Sequence, residues 1–248
     1  FDPAKNSVPL DDLGEMERFV LHQLNQLVEK VRAAYDDYEF HSIYHMVNNF
    51  VVELSAFYHD VIKDRLYTLA PNDPKRRGAQ TVMHAVLSAM TRLMAPVLSF
   101  TCEEIWGYMP EHQNGGDSVF LADLPQVSAA WHNPDLAKRW DDLLKIRGVV
   151  NKELEAARRE KTIGAPLDAR VELSASGQDY ALLKNYESQL TDIFIVSEVS
   201  LSEGGGDVAA KVSACTYPKC PRCWVHSPDV PADQSALCPK CQSALAKN

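Results

Sequence analysis

From Phe40 onward the apolar residues of this 248-residue chain fall at Phe40, Ile43, Val47, Phe50, Leu54, Phe57 and Val61. The steps alternate between three and four, so a helix gathers all seven side chains onto one stripe. Val51, Tyr58 and Ile62 widen it, and a helix with so broad an apolar face packs on more than one neighbour. This helix is expected to run from Phe40 to Leu69. Its last turns, Ile62-Lys63-Asp64-Arg65-Leu66-Tyr67, carry two cations that a core helix does not need. Lys63 and Arg65 read either as solvated surface charges or as a phosphate-contacting end of a bundle, and position alone does not decide between them.

The flanking sequence repeats the pattern. Leu13, Met16, Val20, Leu24, Leu27, Val31 and Ala34 predict a helix beginning near Asp11-Asp12, whose charge suits a helix N-terminus. Val82, Val86, Ala89 and Leu93, with Met83, Leu87, Met90 and Met94 beside them, predict a helix apolar over much of its girth, the most buried of the set. It ends at Pro96. Thr101-Cys102-Glu103-Glu104 has capping-box spacing and is expected to open a short helix through Trp106 to Met109. Residues 110–133, with Pro110, Gly115-Gly116 and Pro125, read as loop, anchored by Val119-Phe120-Leu121. Asn133 as N-cap and Pro134 in the first turn start a long helix to about Thr162. Together these make an up-and-down bundle over 1–162. The period then changes. Ala169–Leu173 alternates as a strand, Asp179–Leu190 reads as a helix, Ile193–Leu201 as a second strand and Val208–Ala214 as a third. The fold expected is mainly α: a helix bundle, a small α/β module over 163–207 and a metal-binding tail over 208–248.

No apolar run approaches the ~18 residues needed to cross a bilayer, and Phe1-Asp2-Pro3-Ala4-Lys5 is not a signal peptide. A start at Phe1 without Met is expected of an excised fragment. The net charge of −9 argues against a protein that grips nucleic acid over its whole surface. The charge is uneven, however: residues 1–60 hold four Lys/Arg against eleven Asp/Glu, 138–161 hold eight against five, and 208–248 hold five against two. Two basic islands in an acidic chain permit a local nucleic-acid contact.

Five of the six cysteines lie between 215 and 241. In a long helical chain without an export signal they are expected to be reduced thiols of the cytoplasm rather than a disulfide framework. Cys220-Pro221-Arg222-Cys223 and Cys238-Pro239-Lys240-Cys241 form two C-x2-C knuckles. Each lets two thiolates from one tight turn reach one ion, and four sulfurs at about 2.3 Å from zinc leave no open position for water. Such a site is structural. Cys215 and His226 lie near enough to substitute but are surplus to a filled tetrahedron, and Cys102 reads as a core thiol. Lys219, Arg222, Trp224, Lys240 and Lys247 surround the knuckles; cations with an aromatic suit phosphate contact and base stacking, while Trp224 equally suits a cover for a very small fold.

On the last long helix Lys138, Lys145, Lys152 and Arg159 recur every seven residues as one stripe. Asp141 and Glu155 are placed to pair with them, so a solvated ion-pair face explains the pattern as well. Gly148 leaves the middle bare, where a backbone can approach closely. Arg147, Arg158 and Lys161 add charge nearby. No catalytic constellation occurs: there is no G-x-G-x-x-G, phosphate loop, G-x-S-x-G or H-E-x-x-H. His41 and His45 share a helix face with no acidic partner to complete a site.

Several of these stretches together resemble one family. Phe57–Tyr67 (FYHDVIKDRLY) and Met94–Trp106 (MAPVLSFTCEEIW) are similar to the anticodon-binding helical domain of class I tRNA synthetases for isoleucine, valine and leucine. Leu144–Glu155 (LKIRGVVNKELE), with Lys161-Thr162-Ile163-Gly164 after it, narrows the likeness to the isoleucine and valine enzymes. Cys220-Pro221-Arg222-Cys223-Trp224 with its second knuckle resembles the zinc-binding tail of the bacterial isoleucyl-tRNA synthetase family, whereas the valine enzymes end in a coiled-coil arm with no counterpart here.

The resemblance implies a surface for the anticodon stem and loop of tRNA-Ile, in an enzyme that joins isoleucine to tRNA with ATP. The family's nucleotide signatures, His-x-Gly-His and Lys-Met-Ser-Lys-Ser, do not occur in this chain, nor does an editing domain. The chain is therefore expected to bind tRNA without activating the amino acid, as a cytoplasmic monomer holding one zinc and joined to a catalytic body that carries the ATP site. Lys63, Arg65, Arg147, Lys152, Arg222 and Trp224 lie inside matching motifs and become the RNA-contact candidates, with Cys220, Cys223, Cys238 and Cys241 the metal ligands. The competing expectation is a helical scaffold whose zinc tail docks a protein and binds no RNA.

Overall fold

The computed structural model describes residues 1–110 and 116–246, and the long amphipathic patterns become helices in it. The chain divides into two compact units, Phe1–Leu66 with Pro71–Ala137 and Tyr67–Ala70 with the residues from Lys138 onward. The first contains α1 (Pro3–Asn6), α2 (Glu15–Asp36), α3 (Phe40–Ala56), most of α4 (Tyr58–Thr68), α5 (Pro74–Met94) and α6 (Ser99–Gly107). Its centre is α2, which packs on both α3 and α5. Phe19, Val20, Leu24, Val28 and Val31 are almost wholly excluded from water, which is the hydrophobic drive that orders this long helix.

Five expectations are corrected here. The helix from Phe40 does not run unbroken to Leu69: at Phe57 the backbone turns to φ −124°, ψ −74° and α4 begins anew. Phe57 and Tyr58 are both buried, and consecutive positions on one straight helix point about 100° apart; the break turns both rings inward. Phe40 and Val51, placed on the apolar face by spacing, are exposed. The most buried helix is α2 rather than α5, whose Met83 and Leu87 meet solvent. Thr101 caps nothing. It lies inside α6, while Glu103 accepts from the Ser118 hydroxyl and the Val119 amide at 2.9 and 3.0 Å and so pins the following loop. Of the proposed anchor there only Val119 is buried. Gly115 lies outside the described residues.

Asn133 does cap α7 (Pro134–Arg159), its side-chain oxygen accepting from Leu136 N at 3.1 Å. In the second unit Trp140, Leu143, Ile146, Val150 and Leu154 form the buried face of that helix. Beyond it β1 (Ala169–Ala175), α8 (Gly177–Asn185), α9 (Leu190–Phe194), β2 (Glu198–Glu203) and β3 (Ala209–Ala214) build the module, and α10 (Pro239–Ala246) closes the tail. The sheet order is β2-β1-β3, with β2 parallel and β3 antiparallel to β1. Central β1 buries Ala169, Val171, Leu173 and Ala175 at every second position. The second strand starts later than expected, because Ile193 and Phe194 belong to buried α9 and Ile195 ends that helix in the left-handed region. No helix among the described residues is long and apolar enough to cross a membrane.

Helix α7 stops by a 6→1, 5→2 pair of hydrogen bonds, Thr162 N to Ala157 O and Lys161 N to Arg158 O. This closure needs a left-handed residue, ordinarily glycine, and Lys161 takes it at φ +60°. Lys161→Gly should therefore raise stability by about 1 kcal/mol, whereas Lys161→Ala should give none of that gain, as read from chemical-denaturation midpoints.

Candidate zinc centre and nucleic-acid interface

The first knuckle is a tight hairpin: Trp224 N donates to Cys220 O and Cys220 N to Val225 O, both at 2.9 Å, and Lys219 bridges to His226 below. The second opens α10, with Cys238 before the helix and Cys241 in its first turn. All four cysteines are buried, their sulfurs within 4.8 Å of one another and those of Cys223 and Cys238 3.6 Å apart. A tetrahedron with metal–sulfur bonds of about 2.3 Å has edges of about 3.8 Å, so the donor set has the dimensions that zinc requires. Val225, Val230 and Leu237 pack against it.

Burial opposes charge on the Cys220 sulfur, but the amides of Cys223, Cys238 and Arg222 point at it and hold its thiol at about 6. Burial raises the Cys223 and Cys238 thiols. The Cys220 sulfur is thus poised as thiolate, and a bound divalent metal would displace the protons of the others. Four thiolates about a divalent ion leave two surplus negative charges. The Arg222 guanidinium, 3.4 Å from Cys241 Sγ, and Lys240 near Cys223 compensate them.

Cys215 and His226 stand outside the tetrad, as expected. His226 lies 2.6 Å from the Tyr217 carbonyl through Nδ1 and 3.3 Å from Asp168 through Nε2, while Lys219 pairs with Asp168 at 3.0 Å. Burial would raise the Asp168 carboxyl, yet the Ala165 amide, Lys219 and His226 outweigh it and hold it at about 2. Asp168 thereby ties the first knuckle to the start of β1. Sequence reading missed this residue, whose only local signal is its place just before a strand.

The RNA-contact candidates part into two groups. Lys63 is exposed, with an i,i+3 partner in Asp60. Lys152 is exposed, and Trp224 presents its indole to solvent at 63% exposure. The three arginines are engaged within the chain. Arg65 donates to Glu17 at 2.6 Å, the two side chains only 13% and 4% exposed. Arg147 Nε donates to the Ile193 carbonyl at 2.9 Å and so fastens α7 to α9. Arg222 donates to the Thr68 carbonyl at 2.6 Å. Along α7 Lys145 pairs with Asp142 rather than the expected Asp141, and Glu155 pairs with Arg158, which lies off the stripe. A Cβ at Gly148 would meet nothing within 4 Å, so no packing within the chain demands glycine there. Lys247 lies outside the described residues.

Comparison with known proteins assigns this arrangement to a class. The family profile of the anticodon-binding domain of tRNA ligases matches residues 17–173, more than half of the chain, and the chain belongs to that family. A profile described as the zinc finger found in FPG and IleRS matches residues 218–244, the segment of both knuckles. The isoleucine–tRNA ligase of Geobacter sulfurreducens is 47% identical over 99% of this chain, that of Syntrophotalea carbinolica 45% over 99%, and that of Desulforamulus reducens 42% over the whole of it. The chain spans 28% of the length of each of these relatives.

Two outcomes follow from this geometry. Removing the metal by chelation, or Cys238→Ser, should unfold the chain after about residue 215 and leave the helical unit intact, because binding energy on the order of 10–16 kcal/mol at such a site is also folding energy; amide exchange with metal analysis reads both. Glu17→Ala should cost about 3–5 kcal/mol by stranding buried Arg65, and adding Arg65→Leu should recover much of that loss. Thermal melts of the single and double variants measure the difference.

Proposed function

We propose that this chain is the tRNA-gripping part of an isoleucine–tRNA ligase, holding the anticodon stem and loop of tRNA-Ile while a catalytic body, absent from this sequence, uses ATP to charge it. The observation that carries the reading is the joint occurrence of an anticodon-binding helical region and a four-cysteine tail in one chain. The likeness over essentially the full chain to ligases named for isoleucine supports that amino acid. One structural zinc in the Cys220, Cys223, Cys238 and Cys241 site keeps the tail folded, and the chain works in the cytoplasm as a monomer joined to its own catalytic body. Residues 1–162, 163–207 and 208–248 act as bundle, junction module and zinc tail.

The division among the cations refines the interface. Lys63 and Lys152 supply backbone-positioning charge and Trp224 a stacking face, while Arg65, Arg147 and Arg222 hold the scaffold that presents them. Alone, the chain binds tRNA and performs no isoleucine-dependent ATP–pyrophosphate exchange, since its sequence carries neither a phosphate loop nor a nucleotide signature.

Titration with tRNA-Ile and an unrelated tRNA at two salt concentrations tests this. Preference for tRNA-Ile supports it, and equal or absent binding favours a protein-docking scaffold. Lys152→Ala should flatten the slope of log K against log salt by about one unit if it meets a phosphate. Gly148→Ala discriminates further: it should stabilise α7 by about 0.5–1 kcal/mol yet weaken tRNA binding, because the new methyl keeps the backbone away. Unchanged affinity in both variants would make that face a solvated ion-pair ladder.

A further inference from the structure

Arg222 stands inside the first knuckle and makes three polar contacts at once. Its amide points at Cys220 Sγ. Its Nη1 donates to Cys241 Sγ of the second knuckle at 3.4 Å and to the Thr68 carbonyl at 2.6 Å. That nitrogen carries two hydrogens, so each acceptor takes its own. Thr68 is the last residue of α4, and the final carbonyls of a helix have no partner within it. This one belongs to a buried turn, with Thr68 and Ala70 both closed off from water, where an acceptor left without a donor is costly. A guanidinium there also meets the negative pole of the helix. Tyr67–Ala70 and the tail fall in the same compact unit, so the contact is internal to that unit. Arg222 is thus a helix cap reaching back 154 residues, carried on a loop whose shape depends on a metal.

We propose that Arg222 is a positioning residue that links metal loading of the knuckles to closure of the last turn of α4. The proposal rests on the zinc part of the function above, and the link itself needs no RNA. Two features aim the guanidinium. The hairpin bonds from Trp224 N to Cys220 O and from Cys220 N to Val225 O, both 2.9 Å, fix the loop that carries it. A sulfur bound to zinc is an anionic acceptor, so the bond it takes from Nη1 is charge-assisted. That bond holds the group where Thr68 O lies. Without the metal the knuckle loses its fold and the donor leaves α4. Linkage makes the effect reciprocal: whatever the metal contributes to closing the turn, a closed turn contributes to holding the metal. α4 also carries exposed Lys63, so the metal state of the tail acts on a helix that bears a candidate RNA contact.

The test reads amide exchange at residues 66–70 and zinc affinity by competition with a chromophoric chelator, both on the full chain. Removing zinc from the unaltered chain should speed exchange at 66–70 about tenfold. Arg222→Ala, loaded with one zinc, should already show that faster exchange, and chelation should add nothing further there, a non-additivity that marks the link. Its zinc affinity should fall by about 10–100-fold. Tyr67→Gly loosens the same turn from an exposed position and leaves Arg222 and the four cysteines in place. It should weaken zinc binding about threefold to fivefold, and it answers even if Arg222→Ala cannot hold zinc. The link is overturned if zinc-loaded Arg222→Ala protects 66–70 like the unaltered chain, if chelation opens that turn equally in both, or if Tyr67→Gly binds zinc with unchanged affinity. Each of these results leaves the zinc site itself standing. If the unaltered chain binds no zinc, the metal reading fails and this proposal with it.

Discussion

The first unit depends on a carboxylate held inside it. Glu17 sits in the first turn of α2 at 4% exposure, and Arg65 on α4, 2.6 Å away, compensates its charge there. The geometry around the pair follows from its need for room. A Cβ at Gly14 would lie 2.6 Å from a Glu17 oxygen, and one at Gly78 on α5 would crowd Leu13 at 3.3 Å. Tyr58 is sealed in nearby, and burial together with the Glu17 charge raises its hydroxyl well above the usual phenol range. A carboxylate at the start of α2 also faces the positive end of that helix. The pair thus locks the start of α2 to α4 with a directionality that aliphatic packing lacks.

The second unit uses the same device with carbonyls as acceptors. Arg147 reaches Ile193 O at the end of α9, where the chain must turn through left-handed Ile195, a costly conformation for a β-branched residue. Arg222 reaches Thr68 O while its other contact, 3.4 Å from Cys241 Sγ, sets a cation beside the cysteine cluster. A guanidinium serves better than an ammonium in such places because its planar fork satisfies two acceptors at once and stays charged. Asp168 completes the set, gathering an amide, Lys219 and His226 on one carboxylate. The first zinc knuckle therefore has defined neighbours.

What the sequence revealed and what it concealed divide along range. The cysteine tetrad was legible because C-x2-C is a local geometry, and the Asn133-Pro134 start of α7 because capping is settled within one turn. Periodicity showed that 40–68 is helical but not that Phe57 breaks it, since the break answers to burial of two adjacent rings. Ile193 and Ile195 suggested a strand by their β-branching, and tertiary burial overrode that propensity. The arginines were visible as charge, but their partners lie 48, 46 and 154 residues away. Nothing in a linear reading distinguishes an arginine that meets a phosphate from one that meets a carbonyl.

That distinction bears on how an acidic chain can serve an anionic ligand. With a net charge of −9, long-range attraction cannot be what brings RNA to it, and screening at physiological salt confines each charge to about 8 Å. Attraction must then come from local sets of groups whose charge is not already consumed by the fold. The arginines anchored to Glu17, Ile193 and Thr68 contribute little to such a set, whereas an exposed lysine such as Lys152 keeps its charge at the surface. Stacking on an exposed indole is indifferent to net charge and to salt. On the function proposed above, such a chain would gain its hold on RNA from shape and unpaired bases more than from overall charge, and would share little of that affinity with nucleic acids in general.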